Sequence, residues 1–243
     1  MKTISFYDTK PYDKYFFEKQ QGQYDFAINF YEEKLNKHTA RMAEGSDAVV
    51  AFVNDTLDAP TLDRLYGLGI RVVGMRCAGY NNVDFNAAKD RIRILRVPAY
   101  SPYAVAEHAM CMELMLNRKL HRAYNRTREY NFSLNGLTGF DFHGKTIGVI
   151  GTGKIGQAFI DICLGFGMKI LAFDPYPVAR DGVTYVELDT LCRESSVISL
   201  HCPLTKDTKH IINADTIAKM KEGVIVINTS RGALIDSEAL LEG

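Results

Sequence analysis

Apolar residues recur along this chain in short blocks of two kinds. Some are near-continuous runs, such as Ala48-Val49-Val50-Ala51-Phe52-Val53, the pattern of a strand covered on both faces in a parallel sheet. Others repeat at helical spacing between the runs. In the first hundred residues strands are predicted over 3–7, 25–30, 48–53, 71–75 and 92–97. Helices are predicted over 11–21, with Tyr15 and Phe16 on its apolar side, and over 60–68. Ser101-Pro102 then opens a long helix through about residue 120, with serine as cap, proline in the first turn, and Val105, Ala109, Met112 and Leu116 at helical spacing. The polar, glycine-rich stretch 131–144 reads as loop.

The alternation resumes with strands over 146–150, 169–173, 197–201 and 224–228, and a last helix begins at Ser237. Strands alternating with helices imply an α/β protein built on doubly wound parallel sheets. We expect two such domains, 1–100 and 101–243.

Composition narrows the function classes. Lysine plus arginine and aspartate plus glutamate number 29 each, so nothing in the net charge points to nucleic acid or a membrane surface. The basic cluster Arg118, Lys119, His121, Arg122, Arg126 and Arg128 raises a nucleic-acid reading, but in a neutral chain it reads better as a solvated helix end. The N-terminus is too short in apolar residues for a signal peptide, and no run could span a bilayer. The five cysteines (Cys77, Cys111, Cys163, Cys192 and Cys202) lie in or beside apolar runs without metal-type spacing. They read as reduced core thiols of a cytoplasmic protein.

The chemistry-bearing motif is Gly151-Thr152-Gly153-Lys154-Ile155-Gly156. A lone GxGxxG is weak, but this one follows an apolar strand and opens a helix on which Ile155, Phe159, Ile162 and Phe166 share a face. The next strand ends at Asp174, eighteen residues beyond Gly156. Gly151 permits the tight turn, Gly153 lets a pyrophosphate approach the backbone, and Gly156 allows close helix–strand packing. The free N–H groups at the helix start face the phosphates. Asp174 accepts from ribose hydroxyls and its charge repels a 2′-phosphate, which favours NAD over NADP.

Longer stretches add specificity: Met75-Arg76-Cys77-Ala78-Gly79-Tyr80-Asn81-Asn82-Val83-Asp84, Arg96-Val97-Pro98-Ala99-Tyr100-Ser101-Pro102, Asn131-Phe132-Ser133-Leu134, His201-Cys202-Pro203-Leu204-Thr205, and Asn228-Thr229-Ser230-Arg231-Gly232-Ala233-Leu234-Ile235-Asp236. Along its whole length the chain resembles the D-isomer-specific 2-hydroxyacid dehydrogenases, most closely their bacterial lactate-type members. The resemblance implies a flavodoxin-like substrate domain followed by a Rossmann NAD domain. It also implies reversible hydride transfer between NADH and a 2-keto acid, here pyruvate giving D-lactate, and a homo-oligomer, commonly a dimer paired through the nucleotide domain. Arg231 matches the family's catalytic arginine, whose planar fork suits a carboxylate. By the same resemblance Ala78 and Gly79 offer backbone N–H groups to that carboxylate, and Tyr100 lines the substrate pocket. Lys154 and Ile155 serve the pyrophosphate, Cys202 and Pro203 flank the adenine with Thr208 nearby, and Thr229 and Ser230 lie with Arg231 beside the nicotinamide ribose.

One departure matters. The family's catalytic glutamate and histidine lie tens of residues downstream of the arginine, whereas only twelve residues follow Arg231. Glu238 and Glu242 do not fall at the glutamate's place, none of the six histidines has the histidine's position, and His108 reads as a packing residue of the long helix. We therefore expect a C-terminally truncated nucleotide domain and impaired turnover. A catalytically silent NAD-binding or scaffold protein, and a dehydrogenase for another 2-keto acid, are the alternatives. No metal is expected.

Overall fold

Two all-parallel sheets organise the chain. A computed structural model describes residues 1–243, which divide into two compact units, Met1–Tyr100 and Ser101–Gly243.

The first unit runs β1 (Lys2–Phe6), α1 (Pro11–Gln21), β2 (Phe26–Phe30), β3 (Ala48–Ala51), α2 (Ala59–Gly67), β4 (Val72–Met75), α3 (Phe85–Ala88) and β5 (Arg93–Arg96). Its strand order is β2-β1-β3-β4-β5, so the winding reverses between β1 and β3. Val49 and Ala51 of β3 and Val73 and Met75 of β4 form the core with Leu35 and with Leu62 and Leu65 of α2. The sequence starts α2 where it does because Asp58 caps it, accepting from the Thr61 amide at 3.1 Å, with Pro60 in the first turn. Phe6 is fully buried, its ring 4.8 Å from that of Phe17 on α1.

The second unit runs α4 (Pro102–Arg118), α5 (Leu120–Arg128), β6 (Thr146–Ile150), α6 (Lys154–Gly165), β7 (Lys169–Phe173), β8 (Val183–Tyr185), α7 (Leu188–Glu194), β9 (Val197–Leu200), α8 (Ala214–Ile217), β10 (Ile225–Asn228) and α9 (Ser237–Glu242). The order β10-β9-β6-β7-β8 places the reversal between β6 and β9, where Ile150 pairs in register with Leu200. Alternate strand residues sort to the two faces. Ile147, Val149 and Val197 join Ala106 and Ala109 of α4 and Phe159 and Cys163 of α6, whereas Ile150, Ile198 and Leu200 join Leu191 and Cys192 of α7. No helix is long and apolar enough to cross a membrane.

Several local expectations change. On α1, Tyr15 and Phe16 are exposed and Phe17 turns inward, because adjacent helical residues diverge by about 100°. The long helix stops at Arg118, where Lys119 enters the left-handed region (φ 50°) and α5 restarts. Ser101 occupies the cap position of α4 without a side-chain cap hydrogen bond. The buried stripe of α4 is Ala106, Ala109, Met110, Glu113 and Asn117, which leaves Leu116 exposed, and His108 and Cys111 are exposed rather than packed. Phe166 follows the end of α6 and is partly exposed, its ring against that of Phe142.

Asn117 is held by the 131–144 loop, donating to the Phe140 carbonyl at 2.7 Å and accepting from the Phe140 amide at 2.9 Å. Glu113 is fully buried with no hydrogen-bond partner for either carboxyl oxygen, and burial pushes its pKa up to about 8. Within the basic cluster, Lys119 donates to the Thr138 carbonyl at 2.6 Å and Arg126 to the Asn135 carbonyl at 2.6 Å. Those two cations pin the same loop.

Candidate functional site

In open α/β sheets ligands settle at the carboxyl ends of the strands, at the point where the winding reverses. In the second unit that point lies between β6 and β9, and the glycine loop leaves β6 there. Gly151 has φ 92°, and a Cβ on it would lie 2.6 Å from the Cys202 amide nitrogen. A Cβ on Gly156 would lie 2.1 Å from the Gly151 carbonyl oxygen. Both positions are thus closed to side chains by the fold itself. Gly153 differs: a Cβ there would meet nothing within 4 Å. Its lack of a side chain relieves no crowding inside the protein and leaves space at the loop's outer surface.

Gly153 is also the cap residue of α6, and no side chain caps that helix. The first-turn amides of Lys154, Ile155 and Gly156 therefore lack side-chain acceptors, at the positive end of the helix dipole. A cleft of about 440 Å³ opens there, its lining including Tyr103, Thr152, Gly153, Lys154, Gln157 and Val178. A cavity of about 520 Å³ in the first unit, lined by Arg71, Asp90, Arg91 and Arg93, flanks the amino ends of β4 and β5 and has no comparable backbone cradle.

Asp174 follows β7 directly, beside this loop. Its Oδ2 accepts from the Thr152 amide at 2.7 Å and the Thr152 hydroxyl at 3.1 Å, and its Oδ1 from the Tyr176 amide at 2.8 Å. The Tyr185 hydroxyl donates to Thr152 Oγ1 at 3.1 Å. Thr152, Gln157 and Tyr185 are site residues that the motif does not name. Tyr185 lies on β8, a three-residue edge strand that periodicity does not reveal.

At the end of β9, the His201 ring packs on Phe159 with centroids 4.7 Å apart, and its Nε2 lies 3.0 Å from Ser199 Oγ. Burial lowers its pKa to about 4, so the ring is neutral at pH 7. Cys202 is buried, and burial pushes its thiol up to about 11. Pro203 is exposed, and its carbonyl accepts from the Thr208 hydroxyl at 2.6 Å.

After β10, Asn228 shapes the next turn. Its side chain accepts from the Ser230 amide at 2.9 Å and donates to the Arg231 carbonyl at 2.8 Å. The Ser230 hydroxyl donates to the Leu200 carbonyl at 3.1 Å, tying this turn to β9. Thr229 Oγ1 is buried without a partner. Arg231 is half-buried, and its guanidinium meets only the Ser230 carbonyl, at 2.9 Å, with no carboxylate within ion-pair range. An arginine on a strand-end turn commonly pairs with a neighbouring acid; this one keeps its charge uncompensated.

Residues 110–243 match the sequence profile described as D-isomer specific 2-hydroxyacid dehydrogenase, NAD binding domain. The chain is 53% identical to the D-lactate dehydrogenase of Escherichia coli (strain K12), covering 98% of this chain and 74% of the relative. The chain belongs to the D-isomer specific 2-hydroxyacid dehydrogenase family. The structure of the Escherichia coli D-lactate dehydrogenase without ligand superposes with a TM-score of 0.93 at 52% identity, covering 99% of this chain and 77% of that one. The Aquifex aeolicus D-lactate dehydrogenase complexed with NAD and lactic acid superposes with a TM-score of 0.83 at 34% identity, covering 98% and 72%.

NAD is thus the family's cofactor, and the second unit fits it on its own geometry. The uncapped amides and the open face at Gly153 suit a pyrophosphate, and Asp174 retains acceptor capacity on Oδ1. In the first unit, the Ala78 carbonyl accepts from Arg96 and the Gly79 carbonyl from the Cys77 thiol, while neither residue's amide donates within the chain. Tyr100 is exposed at that unit's last position.

Proposed function

We propose that this protein is a D-lactate dehydrogenase-type oxidoreductase that couples NADH and pyruvate to D-lactate. The observation that carries the reading is Arg231, an unpaired guanidinium on the same strand-end rim as an uncapped, glycine-fronted helix start. The high identity to the Escherichia coli D-lactate dehydrogenase supports lactate chemistry over other 2-hydroxy acids.

NADH, when bound, supplies the hydride. The chain's part is binding and charge. The amides of the Gly151–Gly156 loop, with Lys154 and Ile155, take the pyrophosphate. Asp174 accepts from the adenosine ribose and repels a 2′-phosphate. Cys202 and Pro203 wall the adenine side with Thr208 near them, and Cys202 does this as a thiol rather than a thiolate. Thr229 and Ser230 sit by the nicotinamide ribose. Arg231 binds the substrate carboxylate and draws electron density from the keto oxygen, which stabilises the negative charge that grows there as hydride arrives. In the first unit, Ala78 and Gly79 offer N–H groups suited to a carboxylate, and Tyr100 offers an aromatic wall. The unit 1–100 is the substrate domain and 101–243 the NAD domain.

Protonation of the keto oxygen needs an acid, and the histidines here are poorly suited to it. His201 is neutral at pH 7 and half-buried, His210 faces Asp236 at 3.6 Å, and the other four are exposed. We therefore infer that the 243-residue polypeptide binds NADH but turns over slowly or not at all. The same point favours the alternative of a catalytically silent NAD-binding protein. The test is NADH fluorescence titration of the purified chain, followed by NADH oxidation with pyruvate and with longer 2-keto acids. Binding of NADH in preference to NADPH, with at most weak oxidation on pyruvate, is expected. Absence of NADH binding would overturn the reading. Rapid pyruvate reduction would overturn the impairment, weak turnover favouring a longer keto acid would reassign the substrate, and weak turnover favouring pyruvate would exclude the silent alternative.

A further inference from the structure

The carboxylate of Asp174 is oriented by a chain of two hydroxyls. Thr152 carries one hydroxyl proton. Its Oγ1 accepts from the Tyr185 phenol at 3.1 Å, and its own proton goes to Asp174 Oδ2, also at 3.1 Å. The Thr152 amide reaches the same Oδ2 at 2.7 Å, and the Tyr176 amide takes Oδ1 at 2.8 Å. A carboxylate offers about four acceptor directions. Three are filled from within the protein, and the one left lies on Oδ1.

We propose that Tyr185 and Thr152 form a relay that fixes Asp174 with a single oxygen presented to the ribose, making Tyr185 a positioning residue for the choice of NAD over NADP. The inference rests on Asp174 being the ribose-binding acid.

Three features support it. Thr152 is buried and Tyr185 half-buried, so the relay is largely shielded from water, where each hydrogen bond orients more strongly. Tyr185 pairs in register with Ala172 of β7, two residues before Asp174, so the sheet itself sets the phenol beside the loop. The Gln157 side chain donates to the Thr152 carbonyl at 3.1 Å, which fixes the residue from its other end. Without the phenol, the Thr152 hydroxyl is free to rotate and Oδ2 loses a directed donor. The carboxylate then turns more freely, and both its grip on a ribose hydroxyl and its aim at a 2′-phosphate weaken.

The experiment measures dissociation constants for NADH and NADPH by fluorescence titration on the purified chain. Tyr185→Phe is expected to weaken NADH about 5-fold, as for one directed hydrogen bond, while NADPH binding holds or improves, so the preference for NADH shrinks. Thr152→Val repeats the effect, and Thr152→Ser recovers preference relative to Thr152→Val. The ratio of the two constants is the decisive readout, since a general loosening weakens both ligands alike. Should Tyr185→Phe unfold the chain, the Thr152→Val and Thr152→Ser pair carries the test. An unchanged ratio in Tyr185→Phe and Thr152→Val, with Asp174→Ala clearly losing NADH, overturns the relay alone. Unchanged NADH binding in Asp174→Ala overturns the ribose assignment and the relay together.

Discussion

The two parallel sheets end in rims of opposite character. At the carboxyl ends of the first sheet, most polar groups find partners within the chain, the buried Arg76 Nε being an exception. Arg76, its side chain 8% exposed, donates to the Asp8 carbonyl at 2.6 Å, lies 3.3 Å from Asp13 Oδ2, and stacks 4.0 Å above the Phe52 ring. Buried Asp55 accepts from the Leu35 and Phe52 amides at 2.7 and 2.6 Å, and Asn82 bridges the Phe52 and Asp55 carbonyls. At the second rim the corresponding groups are left open: α6 is uncapped, Gly153 faces empty space, and Arg231 has no acid. Both sheets are parallel and five-stranded, so topology alone does not make a binding rim. What distinguishes the second is donors and charge withheld from internal partners. The first rim withholds less, in the amides of Ala78 and Gly79 and the buried Arg76 Nε.

The sharpest way to break this contrast is to remove Arg76. If the first rim is held by its own ion pair, Arg76→Met leaves Asp13 buried without its cation and costs on the order of 3–5 kcal/mol. Urea denaturation followed by circular dichroism measures it. A cost below about 1 kcal/mol would mean that the packing of Phe52 and Phe6, not the charge network, holds the first rim.

The second unit has its own unsatisfied group away from the rim, and there the partnerless state is a burden. Glu113 of α4 is fully buried without a hydrogen bond, and its pKa rises from an ordinary 4.5 to about 8. Between those values the folded chain keeps the proton and the unfolded chain releases it. Stability therefore falls as pH rises from about 4.5 to about 8 and is flat in this respect above. Glu113→Met removes that slope and stabilises the chain at pH 7 by on the order of 3 kcal/mol, the two proteins converging below pH 4. Denaturation series at pH 5, 7 and 9 check it. Parallel wild-type and variant profiles would show that Glu113 ionises on the surface of a looser structure.

Much of the second rim was legible in the sequence because its chemistry is local. The turn, the helix start and the acid lie within one strand–helix–strand stretch, and Asn228 to Arg231 form one turn. The first rim was not legible, since Arg76, Asp13 and Asp8 meet across strands far apart in the chain. Tyr185 was missed for a related reason: its strand has three residues, and its partner Thr152 is an unspecified position of the glycine motif. The stripe of α4 misled in a different way. Apolar spacing pointed to Leu116, whereas Glu113 and Asn117 take buried places that a hydrophobic pattern assigns to apolar residues. The break at Lys119 carries no proline or glycine to announce it.

The smallest effect on stability belongs to the residue with the largest proposed role in binding. Arg231 contributes no ion pair, so Arg231→Met is expected to change the unfolding free energy by no more than about 0.5 kcal/mol. NADH binding should also persist, because the pyrophosphate amides and Asp174 are untouched. What should disappear is the response to a substrate carboxylate. In the wild-type chain, millimolar oxamate, an unreactive mimic of pyruvate, should perturb the fluorescence of bound NADH, and in the variant it should not. A stability loss as large as that of Arg76→Met would mean that Arg231 is a structural arginine, and the second rim would then be no more open than the first.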